Sequence, residues 1–281
     1  MLKKNTLIKI MFIFTFFGIV GKTVAQDKED NKKEVSEHVF TMKKQLPATT
    51  VKDQYRSGTC WSYSSLSFIE SELLRTGKGE FDLSEMFVVR QTYVEKAIKY
   101  VRMHGNLNFG GGGAFHDAIN VIDKYGIVPE TVFDGNKMGE VGPVHGEMDI
   151  VLKNYLDGVI KNKNRKLSKV WLKGFEGILS AYLGELPEKF EYNGKEYTPL
   201  SFAEELNINI EDYVEISSYL HHPFYESFII EIPDNWAYGK VYNVPLKEMV
   251  EVMDNAIMQG YSIAWGGDVS EEGFSWKKGL A

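Results

Sequence analysis

Cysteine occurs once in these 281 residues, at Cys60. With no second thiol the chain cannot close an intramolecular disulfide, and it has no Cys-x-x-Cys pair for disulfide exchange. Positive charge is also in deficit. The 32 Lys and Arg against 39 Asp and Glu leave a net charge of -7, which excludes the basic surface that a nucleic-acid partner needs. The apolar run from Ile10 to Val20 falls short of the about 20 residues that span a bilayer comfortably. Four successive glycines, Gly110 to Gly113, lack the Gly-Lys-Ser/Thr ending of a phosphate loop. There is no internal repeat and no low-complexity tract. The one basic run, Lys161 to Lys166, reads as a solvated helix end or loop.

What is present begins with an export pattern. Lys3, Lys4 and Lys9 precede the short apolar core, and Thr23-Val24-Ala25 offers small residues for cleavage, so 1–25 is expected to be a secretory signal. No cysteine lies nearby for lipid attachment. The expected product is exported, periplasmic or extracellular, with no membrane association after cleavage. The mixed charges of 26–45 predict a solvated linker, and 46–281 predicts a folded domain with ample apolar material for a core.

Periodicity places helices first and strands late. Leu66, Ile69, Leu73 and Leu74 recur at helical spacing after Cys60, and Gly77 stops the run. A second helix starts near Leu83 and continues through Tyr93, Ala97 and Tyr100. The glycine run reads as a flexible loop leading to a third helix that ends at Tyr125-Gly126, and 146–184 looks largely helical. Asn193-Gly194 between Tyr192 and Tyr197 predicts a hairpin. Strands are expected over 213–218, 228–232, 238–244 and 261–266, with a helix opened by Pro245 before the last. The order predicts an α+β protein, a helical lobe followed by a sheet lobe.

A lone thiol in an exported chain is buried and inert, paired with another chain, or kept for its reactivity. In Gln54-Tyr55-Arg56-Ser57-Gly58-Thr59-Cys60-Trp61 the cysteine opens a helix, where unpaired backbone N–H groups and the helix dipole favour negative charge. Thiolate is the attacking species. Attack on a carbonyl makes an oxyanion, for which the Cys60 backbone N–H and the Gln54 side-chain amide could be the donors. Trp61 would pack behind the turn, and an extended peptide could lie against the bare backbone of Gly112 and Gly113.

Gln-x5-Cys-Trp at a helix start resembles the papain superfamily of cysteine peptidases. Gly112-Gly113, the helix end Lys124-Tyr125-Gly126-Ile127-Val128-Pro129, and the later Tyr242-Asn243-Val244-Pro245-Leu246 and Trp265-Gly266-Gly267-Asp268-Val269 resemble its bleomycin hydrolase and aminopeptidase C branch. The resemblance runs from about Leu46 onward. It implies a two-lobe papain-like fold, aminopeptidase-like hydrolysis of a peptide substrate, Cys60 as nucleophile, Gln54 in the oxyanion hole, and substrate contacts at Trp61, Gly112 and Gly113. No cofactor or metal is implied. The branch forms hexameric rings, a homo-oligomer that does not carry over to a chain lacking the branch's C-terminal end.

The family also needs a histidine base and an asparagine that orients it, both late in the chain. None of the six histidines fits that pattern. His38 lies in the linker, His104 and His116 flank the glycine loop as expected surface residues, with bordering the cleft the alternative for His116, and His145 sits in a Gly-Pro-Val-His-Gly loop. His221-His222 is followed by Pro223 rather than an apolar strand, and Asp234-Asn235-Trp236-Ala237 lacks the family's serine and glycine. Adjacent histidines are not a usual zinc spacing either. The expectation is a C-terminally incomplete peptidase domain without its base, inactive as it stands. The alternatives are a non-catalytic peptide-binding module using the same cleft and a thiol redox protein.

Overall fold

The first helix, α1 (Cys60–Arg75), ends where the sequence places its stop. Gly77 takes φ +73°, its N–H donates to Leu74 O (3.1 Å), and Lys78 N–H reaches Leu73 O (2.9 Å), a Schellman closure. The computed structural model describes residues 41–164, 166–275 and 277, so the expected signal segment and most of the expected linker lie outside the described residues. Helix α2 (Glu85–Arg102) is capped by Ser84, whose hydroxyl accepts from Phe87 N–H at 3.0 Å. Glu85 in its first turn and Lys99 and Arg102 in its last complement the helix dipole. Then follow α3 (Phe115–Tyr125), α4 (Gly146–Ile160) and α5 (Trp171–Leu183). Helix α2 packs against α1, α3, α4 and α5, which makes it the centre of the helical part. Leu66, Ile69, Leu83, Phe87, Leu152, Phe175 and Leu179 are fully buried there.

The hairpin of β1 (Phe190–Tyr192) and β2 (Lys195–Tyr197) turns on Asn193 and Gly194, with φ of +51° and +77°. Positive φ at both positions is what a two-residue hairpin turn demands. Helix α6 (Pro199–Leu206), which periodicity missed, is announced by Thr198 accepting from Ser201 N–H and by Pro199 at the first position. Its Phe202 meets the rings of Phe81, Phe190, Tyr192 and Tyr197 edge-on.

A small sheet follows in the order β3 (Ile216–Ser217), β5 (Lys240–Asn243), β4 (Ser227–Ile229), with β5 parallel to β3 and antiparallel to β4. Each strand is shorter than its apolar run suggests. Helix α7 (Leu246–Gln259) starts directly after Pro245. The expected strand over 261–266 is not formed. Tyr261, Ile263 and Trp265 stay partly or largely exposed, and the run pairs with neither outer edge of the small sheet. Tyr261 is held instead by its N–H on Ala256 O (2.9 Å) and by the Arg75 guanidinium over its ring (4.1 Å). Helices early and a sheet late make this an α+β chain, as expected. No helix among the described residues is long and apolar enough to cross a membrane.

Candidate active site

Cys60 is the first residue of α1, and its thiol is exposed. The first helical amides to find carbonyl partners are Ser62 and Tyr63, both on Thr59 O at 2.9 and 3.4 Å. The N–H groups of Cys60 and Trp61 therefore belong to the unpaired helix start. The loop before them is bolted down. Ser57 donates to Gln54 O through its N–H (3.3 Å) and its hydroxyl (2.8 Å), and shares a 2.5 Å contact with the Thr59 hydroxyl. Tyr55 is held at φ +50°, a sparsely populated region for a bulky residue. Arg56 runs parallel to Val144, with Arg56 N–H on Pro143 O (3.0 Å) and His145 N–H on Arg56 O (3.2 Å). Gln54 sits half-buried, its Oε1 covered without a partner, and among the described residues its Nε2 donates to no protein group.

Behind the helix start, buried Trp61 donates its indole N–H to Gly111 O at 2.9 Å. Lys96 of α2 donates to Gly110 O and Gly112 O. Three successive carbonyls of the glycine run are thus tied by an indole and an ammonium, and the loop is not the flexible linker its composition suggested. The glycines serve close approach rather than unusual dihedrals, since none of the four has positive φ. A Cβ on Gly113 would lie 2.7 Å from Trp61 Cε2, one on Gly111 2.9 Å from Ser57 O, and one on Gly112 would collide with the Asp234 carboxylate. The structure therefore gathers Cys60, Trp61 and the glycines in one place.

A buried polar layer supports this platform. Asp117 accepts from Ala114 N–H (2.8 Å) and Trp236 Nε1–H (2.9 Å), and Tyr93 donates to Asp149. Burial lowers the Lys96 pKa to about 8, with Asp117, Asp234 and Asp149 pulling it back up. Sequence reasoning missed Lys96, Asp117, Asp234 and Trp236. A usable signal existed for Lys96, a lysine on the same helical stripe as buried Tyr93, Ala97 and Tyr100.

Among the described residues no histidine hydrogen-bonds to Cys60. His104 is exposed just past α2. His116 is not the surface residue expected. Its ring is hemmed by Gly239 and faces Glu215 at 3.2 Å and Asp117 at 3.8 Å; burial lowers its pKa, but these carboxylates outweigh it and leave a net rise. His145 is sealed under the cysteine loop, 1% exposed, and neither ring nitrogen has a hydrogen-bond partner. Burial pushes its pKa down to about 4, against a weak upward pull from the Ser57 backbone.

His145 makes the cysteine loop acid-sensitive. Its folded pKa lies below the ordinary 6.5, so the unfolded chain binds the extra proton first, and stability is lost as pH falls from about 6.5 to about 4. The His145→Gln variant should lack that component, which urea unfolding of both proteins across the interval will read as a flatter profile. Parallel profiles would refute the assignment.

A model of the peptidase C1-like family matches residues 99–281, well over half of the chain. The chain belongs to that family. Aminopeptidase G of Lactobacillus delbrueckii subsp. lactis is 23% identical over 264 residues, which cover 80% of this chain and 60% of that protein. Bleomycin hydrolase of Gallus gallus is 23% identical over 271 residues, again 80% of this chain and 60% of the relative. The crystal structure of PepW from Lactobacillus rhamnosis HN001 superposes with a TM-score of 0.60 at 20% identity, covering 79% of this chain and 59% of that one. The papain-like fold of this branch is thereby established for the chain, which spans about 60% of the length of these relatives.

Proposed function

We propose that this family member is a cysteine-type peptidase with Cys60 as nucleophile, acting on peptides from their amino terminus. The observation that carries the reading is an exposed thiol at a helix start whose turn is locked by Trp61 onto the glycine run. Thiolate attack on a peptide carbonyl forms the C–S bond, the C–N bond breaks as the amine takes up a proton, and water then hydrolyses the thioester to release the acid and restore the thiol. The developing oxyanion lies where the Cys60 N–H and the Gln54 amide can donate, and an extended substrate pairs with the backbone of Gly112 and Gly113. Action from the amino terminus is supported by the naming of relatives as aminopeptidases. Export to the periplasm or beyond is part of the same proposal and rests on the signal-like start.

A second reading, a peptide-binding module that does not cleave, is favoured by one fact: the described histidines are engaged elsewhere, exposed or sealed, and none bonds to Cys60. A peptidyl vinyl sulfone with a free amino terminus separates the readings. The expected result is an adduct on Cys60 by peptide mapping, formed faster than with the N-acetylated probe. Equal rates would overturn the amino-terminal preference. Reversible binding of the probe with no adduct would leave the binding module standing.

A further inference from the structure

We propose that His221, His222 and Glu231 form a binding site for a divalent transition-metal ion of zinc type, separate from the cysteine. The Nε2 atoms of both histidines lie 3.3 Å from the same carboxylate oxygen, Glu231 Oε2, and the three ligand atoms all fall within 4.8 Å of one another. Bonds of about 2.0–2.1 Å to a tetrahedral zinc put its ligand atoms roughly 3.3–3.4 Å apart, which matches the 3.3 Å of both histidine–glutamate pairs. The same 3.3 Å is long for direct N–H···O hydrogen bonds of about 2.7–3.2 Å. Two neutral imidazoles and one carboxylate supply a single negative charge toward a divalent ion, and imidazole with carboxylate suits zinc, cobalt and nickel.

Adjacent histidines on a regular strand would point to opposite faces. These two lie in the turn between β3 and β4, where their rings are tilted neighbours with centroids 4.4 Å apart. The turn is held from inside. Fully buried Asn243 donates to Tyr219 O (2.9 Å), His222 O (3.0 Å) and Pro223 O (3.1 Å), and accepts from Tyr219 N–H (2.8 Å). The His222 ring stacks on Phe228 at 4.0 Å, and His221 meets Tyr219 edge-on. Glu231 arrives two residues past β4, so the third ligand depends on a fold-back that sequence spacing does not reveal. His221 and Glu231 are exposed, which leaves the remaining position open to water and gives the ion a path in.

The test uses the whole chain carrying Cys60→Ser, so that the thiol cannot ligate. Titration with Co²⁺ should give one equivalent of bound ion with visible absorption of tetrahedral type, displaced by Zn²⁺. Glu231→Gln and His221→Ala should each weaken Zn²⁺ binding by calorimetry at least roughly tenfold, and the His221→Ala, His222→Ala double variant should abolish it with an unchanged circular dichroism spectrum. Absence of saturable binding at 100 µM Zn²⁺, or binding that persists unchanged in the double variant, would overturn the proposal.

Discussion

Cys60→Ala is expected to lower kcat/KM for peptide amides by roughly 10⁴–10⁶-fold in any form of this protein that turns over, because no other group can form the thioester. The replacement should leave the thermal midpoint nearly unchanged, since the thiol is exposed and has no hydrogen-bond partner among the described residues. Fluorogenic aminoacyl amides with the parent and variant side by side provide the measurement. Turnover in the variant within tenfold of the parent would sink the nucleophile assignment. Substrate affinity measured with a non-hydrolysable peptide should survive in the variant, because the platform of Gly112, Gly113 and Trp61 does not involve sulfur.

Lys52→Met carries the largest expected cost in stability. The Lys52 ammonium meets Glu70 at 3.1 Å, Asp82 at 2.6 Å and Glu85 at 2.8 Å, and the carboxylates of Glu70 and Glu85 are almost wholly buried. Glu70 also accepts from Leu83 N–H at 2.8 Å, so the cluster joins the entering segment, α1 and the start of α2. Burial by itself would lower the lysine's pKa, but the carboxylates of Glu85, Asp82 and Glu70 raise it well above its ordinary value. Burial pushes Glu85 up to about 7 even with Lys52 beside it, and Glu130 up to about 8 with Glu85 adding repulsion. Removing the lysine leaves buried carboxylates uncompensated, at a cost of about 3–5 kcal/mol.

The sign of the pH dependence follows from Glu85. Its folded pKa is raised, so the folded state keeps its proton longer and stability falls as pH climbs from about 4.5 towards the folded value. Without Lys52 that folded value rises further. The deficit of Lys52→Met that runs through Glu85 should therefore be small near pH 4.5, open above about pH 7 where the parent's Glu85 ionises and the variant's resists, and be measurable at pH 8. Urea unfolding at the two pH values checks it, and a deficit under 1 kcal/mol at pH 8 would contradict the account.

Much of this architecture was legible residue by residue. Gly77 and Gly126 mark helix ends, Asn193-Gly194 marks a hairpin, and Pro245 marks the start of α7, each through local steric rules that need no partner. Strand lengths were not legible, because a ladder forms only where the fold lays a partner alongside, and the run over 261–266 is left unpaired. The glycine run was misread for a related reason. Its composition says pliable, while the donors that hold it, Lys96 and Trp61, lie 14 to 50 residues away in sequence.

For the single thiol, sequence alone determined its place at a helix start, its family, and its company of Gln54 and Trp61, because those are matters of residue type and short spacing. Tertiary structure alone decided which groups face one another. It locked the glycines against Trp61, drew His116 to Glu215, sealed His145 beneath the cysteine loop, and aimed His221 and His222 at Glu231. The physical reason is that histidine chemistry depends on what lies within about 3–4 Å across a fold, and no pattern along the chain encodes that distance.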